Sequence, residues 1–296
     1  MGLYLYSKAA NMALSAFSNN QNQLESCYLR LSTGLRINSA KDDPAGLAIS
    51  DRLTSEINGY IQGSRNTQDG IALAQTAEGA LDETKNMLQR IRTLAIQSAN
   101  GTNTSYDRQA INAEAKQLSQ EITRIANKTT YAGSTLLSGV GSGSILNGRG
   151  SVSIQVSGHA GDIIEITGLS AGFTLSAMCE QSNTGTAGFV KDAKGLSFDL
   201  SSQSSSQTVL GLIDKLIGHV SMTQGNLGGV QTRFESVLRL NDTMRSNTED
   251  ARSRIRDTDY AQEASELSRL SILQQLAPLM FKQINQNRSL ILSLLQ

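Results

Sequence analysis

"RLSTGLRINSAKDDPAG", Arg30 to Gly46, separates two long stretches of helical pattern. It holds two glycines and one of the chain's two prolines. Gly34 suits the end of a helix, where the left-handed conformation favours glycine. Asp42 and Asp43 stand immediately before Pro44, and an acidic cap with proline in the first turn marks a helix start. The spacing therefore predicts a helix ending at Gly34, the connector "INSAKDD", and a second helix from Pro44. Capping accounts for both carboxylates, so they are not read as a metal or acid–base pair.

Upstream of the connector, Leu3, Ala10, Phe17, Leu24 and Leu31 recur every seven residues. Leu14, Tyr28 and Leu35 form the neighbouring row, interrupted by Gln21. At the other end Leu270, Ala277, Ile284 and Ile291 make one row, and Leu273, Met280 and Leu294 a second, with Asn287 between. Two adjacent heptad rows place a narrow apolar seam on a helix, as in coiled coils. Pairing the two ends of the chain is the simplest way to bury both seams. Pro278 lies inside the second seam and predicts a kink or a restarted helix, because it lacks an N–H and crowds the preceding turn; the seam continues past it, so the helix is kept.

Between the ends, Ala74, Leu81, Leu88 and Ala95 carry a helix on from Pro44 to about Ala99, with Ala77 and Ile91 beside them. "NGTNTS" breaks it, and Ile111, Ala115, Leu118, Ile122 and Ile125 stripe a shorter helix. "SVSIQVS" and "DIIEIT", separated by "GHAG", predict a β-hairpin. From Val209 to Ile255 a long helix keeps its register through Leu216, Val220, Leu227 and Phe234, with Asn241 as a polar interruption. Gly218, Gly225, Gly228 and Gly229 weaken that helix, so close packing against them is expected. The fold class is mainly α: a long antiparallel coiled-coil helix bundle built from both chain ends, with a small β-hairpin region in the middle.

The chain carries 26 basic and 26 acidic residues. It lacks the basic excess of a nucleic-acid binder. It shows no apolar run of the roughly 18 residues needed for membrane insertion, and the start lacks a basic leader followed by an apolar core. Cys27 and Cys179 read as small buried thiols. His159 and His219 have no ligand-spaced partners, and HExxH, P-loop and nucleophile-elbow motifs are missing. The expectation is no catalytic, cofactor or metal site. Two paired terminal helices still leave apolar surface, which further copies of the chain would cover. A head-to-tail contact that does not close on itself generates a helical filament.

"RLSTGLRINSAKDDPAGLAI" (Arg30 to Ile49), "NTQDGIALAQTAEGALDE" (Asn66 to Glu83) and "LQRIRTLAIQSANGT" (Leu88 to Thr102) resemble the N-terminal blocks of bacterial flagellins. "LGGVQTRFES", "SRIRDTDYAQE", "ILQQ" and "LSLLQ" resemble the C-terminal ones. The resemblance implies inner-tube terminal helices at 1–43 and 254–296, an outer-tube domain at 44–176 and 205–253, and a variable surface excursion at 177–204. It implies a structural, non-enzymatic subunit of the flagellar filament, exported by the type III apparatus and located in the extracellular flagellum. A hook–filament junction protein is the alternative. Implied partners are other copies of the chain, an export chaperone, the filament cap and hook-associated junction proteins. A host Toll-like receptor is a further one, through Arg90, Leu94 and Glu114, although Thr93 replaces that motif's usual acidic residue. Seam residues of both ends would pack the inner tube. The opening "GLYLYSKAA", Cys27 and Pro278 depart from the family's pattern.

Overall fold

The structure, a computed structural model, describes residues 2–141, 143–182, 188–192 and 195–293, and their side chains except at 2–7, 9–10, 192, 281 and 284–293. It comprises helices α1 (Gly2–Thr33), α2 (Pro44–Ala99), α3 (Ser105–Lys128), α4 (Leu175–Gln181), α5 (Gln203–Arg256) and α6 (Tyr260–Ser293). Three two-stranded antiparallel hairpins intervene: β1 (Thr130–Tyr131) with β2 (Ser134–Thr135), β3 (Val152–Gln155) with β4 (Ile163–Ile166), and β5 (Phe189–Asp192) with β6 (Gly195–Phe198). The chain divides into two compact units, Met1–Ile57 with Arg245–Gln296, and Asn58–Met244.

In the first unit the connector forms as its residues dictate. The Gly34 N–H donates to the Arg30 carbonyl at 2.8 Å, and its φ of 72° ends α1 in the left-handed conformation. Asp43 Oδ1 accepts from the N–H groups of Ala45 and Gly46 at 3.1 and 2.9 Å, capping α2 with Pro44 in its first turn. Asp42 Oδ2 accepts from the N–H groups of Asn38 and Ser39 and from the Ser39 hydroxyl, tying the loop into a turn. The same segment meets the break between α5 and α6. Leu35 pairs with Asp257 in an antiparallel bridge, with Arg36 N–H to Arg256 O at 2.6 Å and Thr258 N–H to Gly34 O at 3.0 Å. Both interruptions of helix in this unit thus satisfy each other's backbone groups.

The second unit holds the main apolar core. Ala74, Ala77, Leu81, Leu88, Ile91 and Ala95 of α2 face Val209, Ile213, Leu216, Val220, Leu227 and Phe234 of α5, with Ile111, Ala115 and Ile122 of α3, all within one buried cluster. Thr104 and Asp107 form a reciprocal capping box at the start of α3. The predicted hairpin is β3–β4, with Ile154 opposite Ile164. It lies directly on α2: a Cβ on Gly63 would fall 2.2 Å from the Val156 carbonyl oxygen, and one on Gly59 2.8 Å from Gly158 Cα. The Asn241 amide donates to that same Val156 oxygen at 2.8 Å, which explains the polar interruption in the α5 row. The segment after β4 supplies α4 and the β5–β6 hairpin, whose Phe198 is buried, as is Leu200 just beyond. Leu200 N–H donates to Asn112 Oδ1 of α3 at 2.8 Å.

One expectation is overturned. A Cβ on Gly218, Gly225, Gly228 or Gly229 would meet nothing within 4 Å. These glycines lie off the buried stripe of α5. The glycines that admit close contacts are on α2, where the hairpin backbone needs the room.

Candidate assembly surface

The first unit pairs α1 with α6, and its buried centre is small: Leu24, Cys27 and Leu270, with Leu31 and Leu267 packed against them. On α1 the inward positions are Ala13, Phe17, Asn20, Leu24, Cys27 and Leu31, alternating steps of four and three as a coiled-coil seam requires. Phe17, Leu24 and Leu31 are the predicted row. The second row is Ala13, Asn20 and Cys27, not Leu14 and Tyr28, which are exposed on the next strip of the helix. The shift arises because two of the inward knobs are polar or thiol-bearing, so an apolar count passes over them.

Those two knobs are bonded across the pair. Asn20 Nδ2 donates to the Leu270 carbonyl at 3.1 Å, and Cys27 Sγ donates to the Glu263 carbonyl at 3.4 Å. The donors are one heptad apart on α1 and the acceptors one heptad apart on α6, as an antiparallel pair demands. Burial, and then the neighbouring Glu263 carboxylate, push the Cys27 thiol up, so it stays protonated and able to donate. Arg30 lies 3.7 Å from the Glu263 carboxylate at the same level.

The α6 row begins as predicted, with Leu270 buried and Ala277 half-buried. The helix runs on through Pro278 without restarting. Pro278 is exposed, and so is Gln274, whose carbonyl loses its helical partner. Leu273 and Met280, predicted for the seam, are exposed on its edge. The side chains of Leu3, Ala10, Ile284 and Ile291, and the whole of Leu294, lie outside the described residues.

Much apolar surface of this unit is uncovered. Met12, at 66% exposure, Leu14, Tyr28 and Leu29 lie open on α1; Ile272 at 58%, Leu273, Leu276, Leu279 at 59% and Met280 lie open on α6. Between the two helices runs a groove of about 410 Å³ lined by Ala13, Ala16, Phe17 and Asn20 on one side and Leu273, Leu276, Ala277 and Met280 on the other. Leu276 and Leu279 were not picked out by heptad rows, because they lie between the seam positions and show only as exposed leucines once the helix pair is built. A patch of this kind marks an interaction site.

In the second unit Arg90 donates through Nε and Nη2 to Glu114 Oε1 at 2.9 and 2.7 Å, an exposed pair joining α2 to α3. Leu94, one turn along α2, is buried at 2% exposure. The surface at this point is therefore made by Arg90 and Glu114, while Leu94 packs beneath it. Among the described residues no group of three His, Cys, Asp or Glu side chains is placed to hold a metal, and no helix is long and apolar enough to cross a membrane.

Residues 6–142 match the bacterial flagellin N-terminal helical region, and residues 210–295 the bacterial flagellin C-terminal helical region. A flagellin of Halalkalibacterium halodurans is 39% identical over 289 residues, covering 96% of this chain and 97% of that protein. A flagellin of Bacillus subtilis is 35% identical over 305 residues, covering 97% and 98%. Among solved structures, the crystal structure of Bacillus cereus flagellin is 26% identical, with a TM-score of 0.48 over 60% of this chain and 88% of that one.

Proposed function

The chain belongs to the bacterial flagellin family and is a structural subunit of the flagellar filament, and from that premise we propose that copies of it join through the apolar edge of the α1–α6 pair. The observation that carries this reading is the row of large apolar side chains left open on both helices, from Met12 on α1 to Leu279 on α6. Each buried leucine or isoleucine contributes about 1.5–3 kcal/mol when covered, so a few of them on each copy suffice to drive stacking. The paired termini, 1–43 and 254–296, would line the inner tube, 44–176 with 205–253 would form the outer one, and 177–204 would face outward. Export by the type III apparatus and residence in the extracellular flagellum follow from the same reading. So do encounters with an export chaperone, the filament cap and the hook-associated junction proteins.

Replacing Ile272 and Leu279 together by serine tests the edge. Neither is buried, so the α1–α6 pair should survive while filament growth, followed by light scattering and electron microscopy, falls sharply. Filaments of normal length and yield would remove this edge from the contact.

Recognition by a host Toll-like receptor is supported by the exposure of the Arg90–Glu114 pair. A receptor reading this patch meets those two side chains. Alanine at either should weaken signalling in a receptor reporter assay while filaments still form.

A further inference from the structure

The turn between α2 and α3 holds Asn100 followed by Gly101, both exposed. Asn100 Oδ1 accepts from the Thr102 N–H at 3.3 Å, so the side chain folds back along the Gly101 backbone in an Asx turn. Among the described residues the intervening Gly101 N–H has no hydrogen-bond partner, and a Cβ on Gly101 would meet nothing within 4 Å. A free backbone nitrogen, a side-chain amide carbon and a donor on that amide's oxygen therefore share one open turn.

We propose that Asn100 is a site of self-modification, at which the Gly101 nitrogen attacks Asn100 Cγ and the side chain is deamidated. The new N–C bond closes a cyclic imide, and the side-chain nitrogen leaves as ammonia, carrying away the Gly101 proton. Negative charge builds on Oδ1 during the attack, where the Thr102 N–H is already placed to stabilise it. Water then opens the ring at either carbonyl, giving aspartate or isoaspartate with no change of oxidation state.

The chain's other two Asn–Gly pairs are restrained. Gly59 lies within α2, where its N–H belongs to the helical ladder and ring closure requires the helix to open. Asn147 is clamped: Oδ1 accepts from the N–H groups of Arg149 and Ser151, both at 3.0 Å, and Nδ2, the departing nitrogen, donates to the Ser151 hydroxyl at 3.0 Å. The consequence at Asn100 is local. Arg108 donates to the carbonyls of Ser98 and Asn100 at 3.0 and 3.1 Å, holding the turn on the start of α3. Isoaspartate inserts a methylene into the main chain and moves the Asn100 carbonyl, so the modified turn loosens while Thr104 and Asp107 still cap α3.

Peptide mapping by mass spectrometry tests this, on full-length chain incubated at mildly alkaline pH, with the aspartyl and isoaspartyl forms separated by chromatography. Asn100 should convert about tenfold or more faster than Asn58 or Asn147, the factor that a modest local restraint imposes on the other two. In denaturant that lead should shrink, because the restraints are gone and the dipeptide is the same. Comparable rates in the folded chain, or a lead that persists undiminished in denaturant, overturn the proposal. Gly101→Ala places its Cβ in open space, so it should keep the melting midpoint while conversion at Asn100 falls several-fold. Unchanged conversion in that variant also overturns the proposal, since it means that water attacks the amide directly.

Discussion

Gly34 sits so close to Tyr260 that a Cβ on it would lie 2.7 Å from the tyrosine hydroxyl. The glycine ends α1, the tyrosine begins α6, and the bridge between Leu35 and Asp257 runs beside them. Gly34→Ala should therefore be penalised twice. The left-handed backbone costs an alanine about 1–2 kcal/mol, and the added methyl displaces Tyr260. Thermal unfolding of the full-length chain should show a clear drop in the midpoint, with faster hydrogen exchange in the connector. Adding Tyr260→Phe should restore the steric part and leave the backbone part. Full restoration would show that φ carries no cost here.

The connector should also be acid-sensitive through Asp42. The Ser39 N–H, then the Asn38 N–H, hold its carboxyl below the ordinary aspartate value. A carboxyl depressed in the folded state contributes stability in full above its unfolded pKa, about 3.9. That contribution is lost as pH falls through the folded value. Asp42→Asn should flatten this dependence. Following the Asp42 carboxyl resonance against pH by NMR gives the direct check: a midpoint at or above the unfolded value would contradict the structure.

How far the sequence discloses this molecule varies with the physical signal. The connector is legible because Gly34, Asp43 and Pro44 each have one strong local preference and all three agree. The β3–β4 hairpin is legible from its alternation. The inner face of α1 is half legible: Phe17, Leu24 and Leu31 declare themselves, but Asn20 and Cys27 face inward because they bond to backbone carbonyls of α6, and hydrophobic periodicity carries no trace of that. At Pro278 the helix is kept, as the continuing seam indicates, and it does not restart, since an exposed helix face lets water take the orphaned carbonyl. The α4 helix and the β5–β6 hairpin have no periodicity of their own, and burial of Met178 and Phe198 in the core of the second unit holds them in place. For the proposed assembly surface, family resemblance supplies the function, and the structure shows which apolar side chains are left open. Leu276 and Leu279 become conspicuous only when folding leaves them uncovered.

His219 should give the second unit a separate pH response. Its ring stacks on Phe173 with centroids 5.7 Å apart, and its Nε2 is buried without a partner. Burial lowers its pKa below the ordinary histidine value. A histidine depressed in the fold contributes fully above its unfolded pKa, about 6.5. It loses that contribution as pH drops below 6.5 towards the folded value, where the unfolded chain binds the proton more readily. Melting curves at successive pH values from 7.5 to 5 should show the second unit weakening over this window. His219→Phe keeps the ring against Phe173 and should abolish that part of the slope. An unaltered slope would assign the effect to other groups.

The glycines of α2 and α5 should respond in opposite directions to the same substitution. At Gly225 an added Cβ meets nothing within 4 Å and the backbone is helical. Gly225→Ala should therefore stabilise by about 0.5–1 kcal/mol, through reduced freedom of the unfolded chain. At Gly63 the same Cβ lands 2.2 Å from the Val156 oxygen, which also accepts from Asn241. Gly63→Ala must push the β3–β4 hairpin off α2 and loosen that bond, and overpacking of this kind costs about 1–3 kcal/mol. In a unit of this size, 1 kcal/mol moves the melting midpoint by about 2–4 °C. The two variants should therefore bracket the parent chain, Gly225→Ala above and Gly63→Ala below. Hydrogen exchange should place the loss at the hairpin. If Gly63→Ala melts at or above the parent, the hairpin does not rest on α2 as described, and the glycines of that helix need another explanation.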